Sequence, residues 1–378
     1  MAVREPTFTI GIEEEYLLVD QKTRELATAP PEEMLSACEA RFQDLVKAEF
    51  LKSQIEAATS VCKTVAEARD ELALLRRTIS EIAGQHGLAP IAASTHPFSV
   101  WQDQQRTDKE RYNVLAENLQ AVARRLLICG MHVHVGIEDD ELRIDLMNQV
   151  TYFLPHLLAL STSSPLWRGE NTGLKSYRIC VFDELPRTGL PERFDSASDY
   201  HRHVDAVVQA GLIDDATMLW WDVRPSARFP TLEMRITDIC TRLDDAAAIA
   251  ALYVCILRML YRLRIDNKRW RIYSTMLVNE NRWRAQRYGM EAGLVDFGKG
   301  EIVPFPDLMD ELLGMVTEDA DALGCGTELN HIHTIVARGT SAGRQITTFE
   351  QALKNGASRE EALNAVVDLL IGETIRDL

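Results

Sequence analysis

The chain has 378 residues, 46% of them hydrophobic and 26% charged, a balance suited to a globular protein with a sizeable core rather than a disordered or fibrous one. With 41 basic against 57 acidic residues its formal net charge is −16, which repels a polyanion over most of the surface and argues against a nucleic-acid partner. Bound cations and a few arginines can still reverse the potential locally for an anionic nucleotide.

The N-terminal MAVREPTFTIGIEEE has no apolar run behind Arg4, and no apolar run of about 18 residues is apparent further on, so neither secretion nor a membrane partner is expected. Seven dispersed cysteines, without a C-x-x-C pair, suit free thiols in a reducing cytoplasm and exclude a zinc ribbon. No repeat, low-complexity tract or Pro/Gly-rich linker marks a boundary, so a single domain over residues 1–378 is expected.

In chain order, Phe8 to Leu18 reads as a strand with Phe8, Ile10, Ile12, Tyr16 and Leu18 on one face and Gly11, Glu13 and Glu15 on the other. A helix follows from Thr64, with Val65, Ala68, Leu72, Leu75, Ile79 and Ile82 at helical spacing, a Thr64/Glu67 capping box and a stop at Gly87. The pattern predicts a further helix over Leu115 to Ile128, then a strand, Met131 to Ile137, whose apolar face opposes His132, His134 and Gly136. Helices are predicted over Leu142 to Leu160, interrupted by Pro155, and over Tyr200 to Gln209. A third strand, Thr231 to Thr237, sets Leu232, Met234 and Ile236 against Glu233 and Arg235. Helices over Ala246 to Leu263 and Asp307 to Val316, and one capped by Ser358 and Glu361, complete the reading. Strands apolar on one face and charged on the other imply an α+β fold, an antiparallel sheet with helices on its apolar face and a polar, concave face left for chemistry.

Two glutamates on one strand face repel each other, so Glu13 and Glu15 call for a divalent cation or for the solvated position of an edge strand. Gln54-Ile55-Glu56 offers another carboxylate, preceded by Glu49, and either can equally be a surface residue. His132 and His134 share a strand face at a spacing known from metal sites, although each taken alone also reads as a structural histidine. The same H-x-H recurs at His331 and His333, in a segment where nothing acidic is expected to converge. Glu233 and Arg235 read either as site residues or as a structural ion pair. An oxygen-rich ligand set with a single histidine suits Mg²⁺ or Mn²⁺ better than zinc. No P-loop and no G-x-G-x-x-G is present. Gly339-Thr340-Ser341-Ala342-Gly343 satisfies G-x-S-x-G but lacks the preceding buried strand, and reads as a flexible loop.

Seven segments stand in a fixed order: Gly11 to Glu15, Gln54 to Glu56, Ser94 to Phe98, Gly130 to Gly136, Trp221 to Ser226, Thr231 to Arg235 and Asn281 to Ala285. Together they resemble the type 2 glutamate-cysteine ligases, also called carboxylate-amine ligases, from about Phe8 to beyond Gly343. The resemblance implies a fold like the catalytic domain of glutamine synthetase, a curved antiparallel sheet forming a funnel for metals, ATP and glutamate. It implies Glu13, Glu15, Glu56, His132 and Glu233 as metal ligands, with Glu49 a further one. His132 is preferred over His134 because it follows Gly130-Met131. Arg235 is the implied catalytic residue facing the transferred phosphoryl group, with Arg178, Arg224 and Arg284 as substrate or nucleotide contacts. The cofactor is then Mg²⁺ or Mn²⁺, the substrates ATP, L-glutamate and an amine such as L-cysteine, and a homodimer is left open. Two rival readings are a metal-dependent hydrolase using His132 and His134, and a catalytically silent binding homologue.

Overall fold

The computed structural model describes residues 4–376 and 378. Seven strands form its main sheet: β1 (Ile10–Asp20), β2 (Val46–Ala48), β3 (Gln54–Ala58), β4 (Leu88–Ile91), β5 (Met131–Gly136), β6 (Val223–Pro225) and β7 (Thr231–Met234). Their order is β6-β7-β5-β1-β3-β2, with β4 joined to the C-terminal half of β1, and every pairing is antiparallel. Period-two alternation holds along β1, where Ile10, Ile12 and Tyr16 are buried and Gly11, Glu13 and Glu15 are half-buried.

Helices α1 (Val65–Gln85) and α2 (Leu243–Ile265) pack on the apolar face. The Thr64 hydroxyl caps α1 by accepting from Glu67 N at 3.1 Å, while the Glu67 carboxylate accepts from Lys63 N at 2.7 Å. Helix α2 corrects the expectation that no stretch is apolar enough to cross a membrane: its most apolar 18-residue window has mean hydropathy 1.7. That window is 83% buried within the protein, so here the apolar length fills a core.

Other helices differ in extent. The run expected over Leu115 to Ile128 is two helices, Glu110–Leu119 and Ala121–Arg124, broken where Gln120 takes φ 49°. The run around Pro155 divides into Asp140–Val150 and Leu154–Ser161, with proline in the first turn of the second, where its missing N–H costs nothing. Thr275–Tyr288, Gly326–Arg338 and Ser341–Lys354 are helices that periodicity did not isolate. The G-x-S-x-G segment is therefore no flexible loop: Ser341 opens a helix and its buried Oγ accepts from Thr241 Oγ1 at 2.7 Å. Acidic partners do reach the second H-x-H, since His331 Nε2 lies 2.9 Å from Asp245 Oδ1.

Alternation also places Glu14 on the apolar face, between Ile12 and Tyr16. Its carboxylate is fully buried and paired with Arg76 of α1, Nε to Oε2 at 2.8 Å and Nη2 to Oε1 at 2.6 Å, while Tyr16 Oη donates to Oε2. Arg76 also donates to the carbonyls of Thr241 and Cys240, each at 2.8 Å, so one guanidinium ties β1, α1 and the approach to α2 together. Removing one partner of such a pair strands the other charge in the core. Arg76→Leu is expected to lower unfolding stability by about 3–5 kcal/mol, and Glu14→Leu/Arg76→Leu to recover part of that loss. Urea denaturation checks this; a loss under about 1 kcal/mol for the single variant, the scale of a solvated pair, contradicts it.

Candidate active site

The register of the sheet lines up its polar side chains in rows, because directly opposed residues of an antiparallel pair point to the same face. One row runs Arg224, Glu233, His134, Gly11, the next His132, Glu13, Ala58, and the third Glu15, Glu56, Lys47. Strands β6, β7, β5, β1, β3 and β2 thus each deliver a residue to one surface.

Glu13 lies between two imidazoles, with His132 Nδ1 3.2 Å from Oε2 and His134 Nε2 3.3 Å from Oε1. Burial opposes its ionisation, yet the bonds to His132 and His134 hold its carboxyl well below the usual range. His134 Nδ1 lies 3.0 Å from Thr231 Oγ1, while its buried Nε2 has no hydrogen-bond partner of good geometry. Burial lowers the His134 pKa, but Glu13 and Glu233 outweigh it and the net shift is upward. Burial and the nearby Arg235 push His132 down.

Glu233 is buried between two arginines. Arg224 grips it with Nε to Oε2 at 2.9 Å and Nη2 to Oε1 at 3.2 Å, and Arg235 Nη1 donates to Oε1. Against burial, Arg235 and Arg224 keep this carboxyl ionised far below its ordinary pKa. Glu56 has the opposite fate. Burial, reinforced by Glu13, Glu49 and Glu15, pushes it up to about 8.

A divalent cation fits these donors. One ligand atom each from Glu13, His134 and Glu233 lies within 4.8 Å of the others. His134 turns Nε2 toward Glu13, and the Glu233 oxygens retain lone pairs beyond those that accept from arginine. Glu15, Glu49 and Glu56 form a second group of carboxylates whose mutual repulsion a cation relieves. Glu15 Oε2 accepts from Gly130 N at 2.7 Å, and Tyr112 Oη lies 3.4 Å from Glu49 Oε2. The three-residue group includes His134 where the sequence reading preferred His132; His132 sits between Glu13 and Arg235, its Nδ1 3.4 Å from Arg235 Nη1.

Arg178 and Arg284 are placed differently from Arg224 and Arg235. Arg178 is buried and donates to the carbonyls of Ile236 at 3.2 Å and Arg235 at 3.1 Å. Arg284 donates to the carbonyls of Ala292 at 2.6 Å and Gly293 at 3.1 Å. His96, in another of the seven segments, is a latch: Nδ1 accepts from Ser99 N at 2.9 Å, and burial pushes its pKa down to about 3. The sequence reading quoted Asp222 and Arg282 without assigning them a role. They form a buried pair, Arg282 Nε to Asp222 Oδ2 at 2.7 Å, with Asp183 as a second acceptor. A hydrophobic-flanked aspartate eleven positions before Glu233 was the available signal for it.

The fold is α+β, an antiparallel sheet with helices on one face and rows of carboxylates, imidazoles and arginines on the other, and it superposes on solved ligase structures. The sequence profile of glutamate-cysteine ligase family 2 matches residues 9–368, and the chain belongs to that family. A relative from Rhodospirillum rubrum, provisionally named glutamate-cysteine ligase 2, is 61% identical over 100% of this chain and 98% of its own length. One from Ruegeria pomeroyi with the same provisional name is 53% identical over 100% and 97%. Among solved structures, a bifunctional glutathione synthetase from Pasteurella multocida superposes with TM-score 0.69 at 14% identity, over 98% of this chain and 53% of that longer one. Glutamate-cysteine ligase from Francisella tularensis, in complex with AMP, gives 0.65 at 14% identity over 99% and 90%. At these identities the structures speak for the fold alone.

The raised pKa of Glu56 has a thermodynamic consequence. Between the ordinary glutamate value and about 8 the folded protein holds a proton that the unfolded chain has lost, so metal-free stability should fall as pH rises across that window. His134, also raised, acts in the same direction: what it contributes is present below its unfolded pKa and lost as pH climbs. The buried His96, His132 and His156, whose pKa values burial lowers, act in the opposite sense, so the Glu56 share is read as a difference: the melting temperature of metal-free wild type relative to Glu56→Gln should decline from pH 5 to 8.5, and Mg²⁺ or Mn²⁺ should restore most of the loss at the alkaline end. A wild-type profile that matches Glu56→Gln throughout contradicts the clustered-carboxylate reading.

Proposed function

We propose that this protein is an ATP-dependent carboxylate-amine ligase of the cytoplasm that joins the side-chain carboxylate of L-glutamate to an amine, with L-cysteine the leading acceptor. The observation that carries the reading is the polar sheet face itself, on which Glu13, Glu15, Glu49 and Glu56 repel one another beside the fixed cations Arg224 and Arg235. Such a surface suits a substrate that arrives as an anion together with cations. Glu13, His134 and Glu233 would hold one Mg²⁺ or Mn²⁺, with His132 alongside, and Glu15, Glu56 and Glu49 would hold further charge. Bound there, the cation supplies neutralisation of phosphate oxygens.

Glutamate's carboxylate is a poor electrophile. An oxygen of it attacks the γ-phosphorus of ATP, the bond to the bridging oxygen breaks, and ADP leaves. The amine then attacks the acyl carbon, loses a proton, and expels phosphate. Arg235 offers a planar fork of donors where negative charge accumulates during the first step, and Arg224 keeps Glu233 ionised and oriented. Arg178 serves the same site from behind it, by holding the backbone of Arg235 and Ile236.

The purified enzyme should release ADP only when glutamate and an amine are both supplied with Mg²⁺ and ATP. A broad screen of amines and thiol amino acids without ADP or phosphate release overturns the assignment. Arg235→Lys and Arg235→Ala should each lower kcat by about 10² or more while apparent ATP affinity changes less. Near-normal kcat in a folded Arg235→Ala enzyme, with only its melting temperature lowered, would assign Arg235 to a structural ion pair instead.

A further inference from the structure

Regular pairing of β7 ends at Met234, opposite Val223, so Arg235 extends from the first residue past the strand. Its guanidinium is not fully fixed by its own contacts: Nη1 donates to Glu233, but the buried Nε meets no acceptor. Its peptide unit, by contrast, is gripped on both sides. The Asp222 carbonyl accepts the N–H of Arg235 at 2.8 Å and that of Ile236 at 3.1 Å. Arg178 takes the two carbonyls of the same residues, Nη2 to Arg235 O at 3.1 Å and Nη1 to Ile236 O at 3.2 Å.

Each of these holders is itself held. Arg282 clasps the Asp222 carboxylate through Nε at 2.7 Å and Nη2 at 3.1 Å, and its remaining donors go to Asp183 at 2.7 and 2.8 Å. Asp222 N donates to Gly189 O at 2.8 Å. The backbone N of Arg178 donates to Ser164 Oγ at 3.1 Å, and that hydroxyl donates to the buried Asp238 at 2.8 Å. The Arg178 guanidinium lies directly against Gly130. A Cβ at that glycine would stand 2.9 Å from Arg178 Cζ and nearer still to Nη2, so the close approach of strand and arginine requires the missing side chain. Arg178 is 2% exposed and Arg282 7%, which leaves neither open to a substrate.

We propose that Arg178 and the Asp222–Arg282 pair are positioning residues, which clamp the Arg235 peptide from opposite sides and so fix where its guanidinium meets the transferred phosphoryl group. This rests on the reading of Arg235 given above. Bridging two successive carbonyls takes two donors in a rigid plane, which arginine has and lysine lacks. A displacement on the order of 1 Å at a charge-stabilising donor is enough to cost about 10² in rate, so the clamp acts on turnover rather than on binding.

A mutant cycle on the full-length protein tests it. Arg178→Lys should lower kcat about tenfold or more with the apparent KM for ATP changed by less than about threefold. In an Arg235→Lys background the same change should cost under about twofold, because the group it positions is gone. Asp222→Asn, which keeps the side-chain shape but weakens the hold of Arg282, should behave alike and serves if Arg178→Lys does not fold. Losses that multiply independently in the two backgrounds overturn the proposal, since a general structural role would produce them. A crystal structure of either variant gives a second arm that needs no turnover: the Arg235 guanidinium should be displaced from its place beside Glu233, and an unmoved one overturns the proposal. A wild-type enzyme without activity counts against the ligase reading, while the crystallographic arm still decides the clamp.

Discussion

A slip of one residue between β1 and its neighbours would turn Glu13 and Glu15 into the core and Ile12 and Tyr16 out to the polar face. The whole candidate site depends on that register, since Glu13 faces His132 and Glu15 faces Glu56 only in the observed pairing. The buried Glu14–Arg76 pair locks it. Glu14 is the one charge of the EEE run that points inward: a slip of one residue would bring Glu13 or Glu15 to the guanidinium but bury the other without a counter-ion, and a slip of two would set Arg76, with its fixed hydrogen bonds to Cys240 and Thr241, against Ile12 or Tyr16. Ionic contacts of this kind add little net stability over apolar packing, but a mismatch is costly. Here the pair acts as a key for strand alignment, and the chemistry on the far side of the sheet follows from it.

The polar face is arranged as a conflict that ligands resolve. Glu233 is held ionised by two arginines, whereas Glu56, surrounded by Glu13, Glu15 and Glu49, keeps its proton to about pH 8. The two ends of the surface thus differ in sign of need, one compensated by the protein and one left for a cation. In the proposed function this is how a chain of net charge −16 would receive an anionic nucleotide. The field is set locally, by a few arginines fixed through backbone and carboxylate bonds and by cations recruited to glutamates. Behind the face, Asp222 and Arg282 form a buried ion pair, while the buried Arg178 and Asp238 are held by hydrogen bonds, Arg178 to carbonyls and Asp238 to Ser163, Ser164 and Ser176.

Much of this was legible in the sequence because period-two alternation is a strong, local signal. It placed Ile10, Ile12 and Tyr16 inward and Glu13, Glu15, His132, His134 and Glu233 on one surface. The same rule applied one step further would have marked Glu14 as a buried charge in need of a partner. The choice between His132 and His134 was beyond it, since both point the same way. What distinguishes them is the adjoining strand, which sets Thr231 beside His134 and Arg235 beside His132, and only the sheet order reveals that. The carbonyl contacts of Arg178 and Arg284 were not legible, because an arginine in a sequence carries no mark of whether its donors meet a phosphate or a carbonyl. Helices such as Gly326–Arg338 and Ser341–Lys354 were missed because their apolar positions are few and their starts look like loops.

The central claim is that the glutamate carboxylate is activated by forming a bond to phosphorus. Glutamate labelled with ¹⁸O in the side-chain carboxylate follows that bond directly. In the proposed sequence the attacking oxygen stays with phosphorus when the amine displaces phosphate, so released inorganic phosphate should carry one ¹⁸O for each amide formed. Amide formation with unlabelled phosphate would contradict the account, because it would show ATP cleaved without a bond ever passing through the carboxylate.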